Sequence, residues 1–452
     1  MINNTKIKQV MALIFAFTLV VSAFYPNGTA SAAEEPIAVN AGAAIIIEES
    51  TGTILYGKNV DEMLPIASMA KVMTEYLLLE AIDSGKLKWE QTYTPSEYVY
   101  KISQNGNLSN VPLRQDGSYN VKELYEAMAI YSANGAAIAI AEIIAGSESN
   151  FVKLMNEKAK ELGLKNYEFV NATGLENKDL IGMHPEGTGV EGESKVSARD
   201  MALLSRRLIQ DFPEILETAS ISKGVFREGT EDRTNMPNWN WMLPGLLFEY
   251  EGVDGLKTGS TDNAGSCFTA TAVKNGMRVI TVVIDAKDDS GTLHTPRFKE
   301  TKKMLDYAFA NFTVKEVFPA NYQVKKQSEI PVIKGKEDKV SIQTKDPLTL
   351  VVKNGEDDLY KATFKIDEKQ LSKKGELTAP VKKGQKVGTM VVSYEGKGEA
   401  LTFVEDNKTA QVDLVTKEAV EKANWFILSM RGIGGFFSGL WGTVTDTVKG
   451  LF

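Results

Sequence analysis

Three short groups of residues offer a nucleophile, a base and hydrogen-bond donors, the set that acyl transfer requires. Ser68-Met69-Ala70-Lys71 comes first, Ser132-Ala133-Asn134 starts 64 residues after Ser68, and Lys257-Thr258-Gly259 starts 189 after it. A serine hydroxyl is a poor nucleophile until a base takes its proton. No histidine lies in these groups, so the base must be a lysine, and it must spend time neutral. Burial and a neighbouring positive charge both lower a lysine pKa. On a helix, Ser68 and Lys71 share one face. Lys257 supplies the neighbouring charge if its strand lies beside that helix. Ser132 is expected to pass a proton between the lysines and the leaving amine, and the Asn134 amide to hold the substrate backbone. An oxyanion hole needs two converging donors, expected here from the N–H groups of Ser68 and Ser260. Gly259 leaves room for substrate against its strand, and Thr258 offers a hydroxyl to a carboxylate.

Each pattern also has competitors. Ser-x-x-Lys recurs at Ser220–Lys223, and Ser-x-Asn also starts at Ser103 and Ser118. Ser220 fails because no Ser-x-Asn separates it from Lys257. Ser103 and Ser118 lie in Gly/Asn-rich stretches of turn composition. Ser132 lies between two helix-like segments, Val121–Tyr131 and Ala136–Ile144, so it is held from both sides.

The elements that must position these residues follow from periodicity. Ala43–Glu49 and Thr53–Tyr56, joined by Ser50-Thr51-Gly52, predict a hairpin. Val72, Tyr76, Leu79 and Ile82 predict a helix over about Ser68–Ile82. Further helices are predicted over Asn150–Leu162, over Ala198–Ile209 with Ser197 as cap, and over Arg297–Phe312. Asn171–Ser194 is Gly- and Glu-rich and reads as a surface loop. Leu256–Ser260, Cys267–Lys274 and Arg278–Ile284 read as strands. Strand material at both ends of a helical middle implies an α/β first domain, residues 33–312, whose two ends meet in one sheet. Residues 313–415 alternate in short runs and predict a small all-β domain with no chemical constellation, either a spacer or docking module or a stability appendage.

Composition narrows the setting. The 452 residues imply two or three domains, and a formal charge of −8 disfavours nucleic acid as a partner. Lys6 and Lys8, the apolar run Val10–Phe24 and Ala30-Ser31-Ala32 predict a cleaved signal peptide over residues 1–32 and work outside the cytoplasm. The single cysteine, Cys267, permits no internal disulfide and reads as a buried small residue. With two histidines, His184 and His294, both read as loop residues, neither a metal site nor any other cofactor is expected. Over residues 416–452, Phe426, Met430, Ile433, Phe437, Leu440, Trp441, Val444, Val448 and Leu451 step mostly by three or four. That predicts an amphipathic helix lying on a membrane surface, and Arg431 with five glycines from Gly432 to Gly442 argues against a span.

At the three groups the chain resembles the penicillin-binding serine acyltransferases, and most of all the low-molecular-mass D-alanyl-D-alanine carboxypeptidases of the penicillin-binding protein 5 type. Val253-Asp254-Gly255-Leu256-Lys257-Thr258-Gly259, Thr261-Asp262-Asn263-Ala264-Gly265 and Asn171-Ala172-Thr173-Gly174-Leu175 carry the same likeness. The resemblance implies the serine β-lactamase/transpeptidase-like fold, an antiparallel sheet with helices. It implies Ser68 as the acylated nucleophile, Lys71 as base, Ser132 and Lys257 as proton-relay partners, and Arg297 near the terminal carboxylate. The substrate implied is a peptidoglycan stem peptide ending in D-Ala-D-Ala, with β-lactams as covalent inhibitors. Two departures stand out: Ala133 is the middle residue of Ser-x-Asn, and Ser260 replaces a histidine found in some members. A class A β-lactamase needs Glu-x-x-x-Asn, and Glu168-Phe169-Val170-Asn171 is one residue short. A D,D-endopeptidase or transpeptidase of the same fold stays open. Outside enzymes, a β-lactam receptor would need a coupled transmembrane region, and a wall-binding protein would tolerate loss of Ser68.

Overall fold

The computed structural model describes residues 37–288, 291–325, 327–396, 399–406 and 408–425. The expected leader and the stretch Phe426–Phe452 lie outside them. Among the described residues no helix is long and apolar enough to cross a membrane.

The chain from Val39 onward is built around a five-stranded antiparallel sheet. Its strands are β1 (Ala41–Glu48), β2 (Ile54–Lys58), β3 (Val253–Thr261), β4 (Gly265–Lys274) and β5 (Met277–Ala286), in the order β3-β4-β5-β1-β2. β1 is buried almost throughout, as an apolar run without alternation demands. Its pairing with β5, Ile46 opposite Thr281, joins the two ends of the domain in one sheet. At the first turn the Glu48 carboxylate accepts the N–H groups of Ser50 and Thr51.

Between the sheet's two halves run the helices that carry the chemistry. They are α1 (Lys71–Asp83), α2 (Glu97–Ser103), α3 (Val121–Tyr131), α4 (Asn134–Ala145), α5 (Glu148–Glu161) and α6 (Ala198–Asp211), with α7 (Pro296–Asn311) closing the domain. α6 and α7 pack on the sheet, while α1 packs against α3, α4, α5 and α6. α1 is buried on nearly every side, so its hydrophobic pattern shows little contrast between faces. The N-terminal caps are chemical: Asn120 with Glu123 forms a capping box, and the Ser197 hydroxyl accepts the Asp200 N–H.

Two sequence expectations change. The helix expected from Ser68 begins as a 3-10 turn, Ala67–Ala70, before α1 proper. In that geometry residues three apart eclipse, so Ser68 and Lys71 stack more directly than on an α-helix. The segment from Asn171 is not a surface loop at its start, for Asn171, Ala172 and Thr173 are fully buried. The Asn171 side chain makes this possible. Its Oδ1 accepts the N–H groups of Thr173 and Gly174 and the Thr173 hydroxyl, and its Nδ2 donates to Leu175 O. A buried backbone must find such partners.

A second domain follows. It has a six-stranded sheet and a two-stranded one around its own cluster of buried residues, including Val340, Ile342, Val352, Val387, Met390 and Leu414. Its last strand, Gln411–Thr416, is not its end. Val420 is fully buried and pairs with Val381, so the residues after Thr416 belong to this core as far as Ala423, and no tail starts at 416. Thr402–Val404 reach back to the first domain: Ile54 N–H donates to Thr402 O and Val404 N–H to Gly52 O, each at 2.8 Å.

Candidate active site

Ser68 sits in the 3-10 turn at the mouth of a cleft of about 470 Å³. Two glycines fix that turn from two neighbouring segments. A Cβ on Gly259 of β3 would lie 2.6 Å from Ile66 O, and one on Gly174 would lie 1.9 Å from Ala67 O. Gly174 also has a φ of +76°, so it is barred from replacement twice over.

Lys71, the first residue of α1, is fully buried. Its Nζ donates to Ser68 Oγ at 3.0 Å, Asn134 Oδ1 at 2.8 Å and Thr173 O at 2.7 Å. Burial, with the charge of Lys257 adding to it, holds the Lys71 ammonium well below the usual lysine range. The carboxyls of Glu75 and Glu148 oppose that shift. Lys257, in the middle of β3, donates to Ser132 Oγ at 2.9 Å and to Thr258 O at 3.1 Å. Burial lowers its pKa too, opposed by Glu75 and assisted by Arg297.

Ser132 caps α3 with a left-handed backbone, φ +61°. That conformation is uncommon for a side-chain-bearing residue, and it separates α3 from α4 so that the Ser132 hydroxyl meets Lys257. Asn134 opens α4. Its amide is already engaged, since Oδ1 accepts from Lys71 and Nδ2 donates to Ser109 O. Thr258, Gly259 and Ser260 line the same cleft. Arg297, near the start of α7, is buried and donates through Nη1 to Gly259 O at 2.7 Å and Cys267 O at 3.0 Å. Its Nη2 meets Ser260 Oγ and Leu293 O, and its Nε is buried without a partner. All nine residues singled out by sequence therefore surround or line one cleft.

Sequence reasoning missed others. Glu75 is buried one helical turn beyond Lys71, its carboxyl raised by burial against the pull of Lys257 and Lys71. An acid set among the apolar residues Val72 to Leu79 was the available signal. Trp239 and Trp241 line the cleft with His294, whose ring stacks on Trp239 at 6.0 Å between centroids. Only that packing distinguishes His294 from an ordinary loop histidine. Cys267 is buried, and its thiol is pushed up to about 11 by burial, which suits a packing role. No cluster able to hold a metal ion occurs among the described residues.

The family model described as D-alanyl-D-alanine carboxypeptidase matches residues 29–288, and that of the penicillin-binding protein 5 C-terminal domain matches 312–422. D-alanyl-D-alanine carboxypeptidase DacF of Bacillus subtilis is 36% identical over 402 residues, 88% of this chain and 90% of that protein. DacC of Escherichia coli is 32% identical, covering 91% of this chain and 90% of its own. Among solved structures, the peptidoglycan synthesis regulatory factor PBP3 of Streptococcus pneumoniae aligns with a TM-score of 0.68 at 33% identity. That alignment covers 85% of this chain and all of that one. Penicillin-binding protein D2 of Listeria monocytogenes, in its cefotaxime-bound form, aligns at 0.51 with 34% identity over 60% of this chain and 98% of its own.

Proposed function

We propose that Ser68 carries the acyl group in this chain, which belongs to the D-alanyl-D-alanine carboxypeptidase family. The chain is a serine-type carboxypeptidase, a hydrolase of the cell wall with a penicillin-binding fold. The residue-level reading rests on one observation, the hydrogen-bond pattern of Lys71. A neutral amine has two N–H donors and one lone pair. Asn134 Oδ1 and Thr173 O accept two of the ammonium's three N–H groups and Ser68 Oγ the third at 3.0 Å, so loss of that third proton leaves a lone pair facing the Ser68 hydroxyl.

On this reading Lys71 removes the Ser68 proton as Oγ bonds to the carbonyl carbon between two terminal D-alanines of a peptidoglycan stem peptide. The C–N bond then breaks. The leaving amine takes a proton through Ser132 and Lys257, and D-alanine departs. Water, deprotonated in turn, attacks the ester and returns Ser68 to its free form. The N–H groups of Ser68 and Ser260 stabilise the oxyanion. Thr258 anchors the terminal carboxylate, with Gly259 leaving room along the strand, and Arg297, whose Nη groups bond Gly259 O, Cys267 O, Ser260 Oγ and Leu293 O, holds the end of that strand and adds positive charge beside it. Asn134 orients Lys71 through Oδ1, and the second N–H of its Nδ2, beyond the one given to Ser109 O, is left to hold the substrate backbone. β-Lactams would acylate Ser68 in the same way, a reading supported by the cefotaxime-bound form of the Listeria monocytogenes relative. Labelled penicillin should attach to Ser68, and a peptide map with the label elsewhere would sink the assignment.

The address is part of the proposal. A signal peptide over residues 1–32 would deliver a mature chain with a catalytic domain at 33–312 and a β-rich domain beyond it. A helix on the outer face of the cytoplasmic membrane would follow. The charge and apolar pattern of the leader and the stepping of Phe426 to Leu451 support this. Since Val420 is part of the second core, the clean cut is after Trp425. That truncated chain should leave the membrane fraction and keep its carboxypeptidase activity. Retention on membranes would remove the tail as anchor.

A further inference from the structure

Glu148 stands at the first turn of α5, almost wholly buried, and no step above uses it. Its two oxygens have separate partners. Oε1 accepts the Ala172 N–H at 2.9 Å and Oε2 accepts the Tyr98 hydroxyl at 2.8 Å. Ala172 belongs to the buried turn Asn171–Leu175. The Ala172 carbonyl accepts the Thr74 hydroxyl of α1 at 2.9 Å, and the next carbonyl, Thr173 O, accepts Lys71 Nζ at 2.7 Å. Gly174 then packs on Ala67, beside Ser68. The turn is thus tied to α1 by two carbonyls and to α2 and α5 through one carboxylate.

We propose that Glu148 is a positioning residue for acylation: it pins the 171–175 turn so that the Thr173 carbonyl meets Lys71 Nζ and turns the lysine lone pair toward Ser68. A buried carboxylate is expensive to keep without a task, and an apolar residue could fill this space but could not receive the Ala172 N–H. Leaving that N–H unpaired in the interior carries a penalty of its own. The carboxylate also acts at a distance. Its negative charge raises the Lys71 pKa, against the burial that lowers it. The groups that face Glu148 are Ala172 and Tyr98, which bond it, Glu142 from α4, and Lys71 from α1. Together with burial they leave its carboxyl raised to about 7.

This inference rests on Lys71 as the base, and the test separates the two. Acylation by a fluorescent penicillin is followed from acid to alkaline pH in the full chain, in Glu148→Gln and in Glu148→Ala. Gln keeps an acceptor for Ala172 N–H and removes the charge. Its rate should stay near that of the parent at high pH, and the part of its acid limb above about pH 7, where the parent's Glu148 is charged, should move to lower pH, because Lys71 loses the neighbouring charge that raises its pKa. Ala loses the acceptor, so its acylation should fall by about 10²-fold at every pH, as expected for a misplaced base. A role confined to stability would lower the melting temperature of either variant and leave the acid limb of Glu148→Gln in place. An acid limb that superimposes on the parent, or a folded Glu148→Ala that acylates at the parent rate, would overturn the proposal. If Glu148→Ala does not fold, Glu148→Gln alone decides. Failure of the Lys71 reading would show separately, as acylation that survives Lys71→Ala.

Discussion

The first domain buries charge, and the second keeps it outside. Around the cleft, Lys71, Glu75, Glu148, Lys257 and Arg297 are all nearly or wholly inaccessible. Among the described residues of the second domain the buried polar ones are the uncharged Thr344 and Thr416. Its ion pairs, such as Lys339–Glu329 and Lys386–Asp413, join side chains that are largely exposed. The contrast teaches what each domain's interior is for. A core that only has to be stable is built from Val, Ile and Leu, as around Val340, Ile342 and Leu414. Buried ions are poor stabilisers, because desolvation offsets most of their attraction. On the proposed mechanism those beside Ser68 tune the lysine that takes its proton, while others the first domain buries, such as Glu48 and Asp200, accept local backbone N–H groups.

Breaking the contrast at its chemical end should give the largest effect. Lys71→Ala should lower acylation by ~10⁴-fold or more, the scale on which coupled nucleophile and base residues act. The same change removes a costly buried amine but leaves Asn134 Oδ1 and Thr173 O without their donor, so the melting temperature should move little. Its pH dependence carries a sign. The native Lys71 binds fewer protons than the unfolded one between its lowered pKa and the ordinary value of about 10.4. Stability of the parent therefore gains from this residue as pH rises through that window, and the variant should lack the gain. A variant that acylates normally, or one that melts much earlier, would erase the distinction between functional and structural burial. At the other end, Met390→Ala in the second core should cost about 2–5 kcal/mol of that domain's stability, read by denaturant melts. Its kcat on a D-Ala-D-Ala peptide should not move. A matching fall in kcat would show that the second core supports the site.

Legibility followed the same divide. Elements with a local signal were readable: the capped start of α6 at Ser197, the strand around Lys257, and the α3–α4 break that carries Ser132. The sheet formed by the two ends of the first domain was readable too, because β1 is an apolar run and β5 is one interrupted within Val279–Ile284 only by Thr281. What escaped was whatever depends on partners far along the chain. The 171–175 turn is rich in polar and small residues and reads as exposed, yet it is buried because the Asn171 side chain satisfies its backbone. Glu148 looks like an ordinary first-turn acid, and only the approach of Ala172, 24 residues on, shows otherwise. The residues past Thr416 read as the start of a tail because nothing local reveals that Val420 meets Val381.

The reach of Thr402–Val404 onto the start of β2 also bears on the edge of the five-stranded sheet. β2 is the outer strand of the five-stranded sheet, and an uncovered outer strand is a template for pairing with another molecule. Ile54 N–H and Gly52 O are already occupied by the second domain, and Arg206 holds the covering segment through Glu405 at 3.2 Å. The second domain thus covers the start of an edge that would otherwise be open to strand pairing.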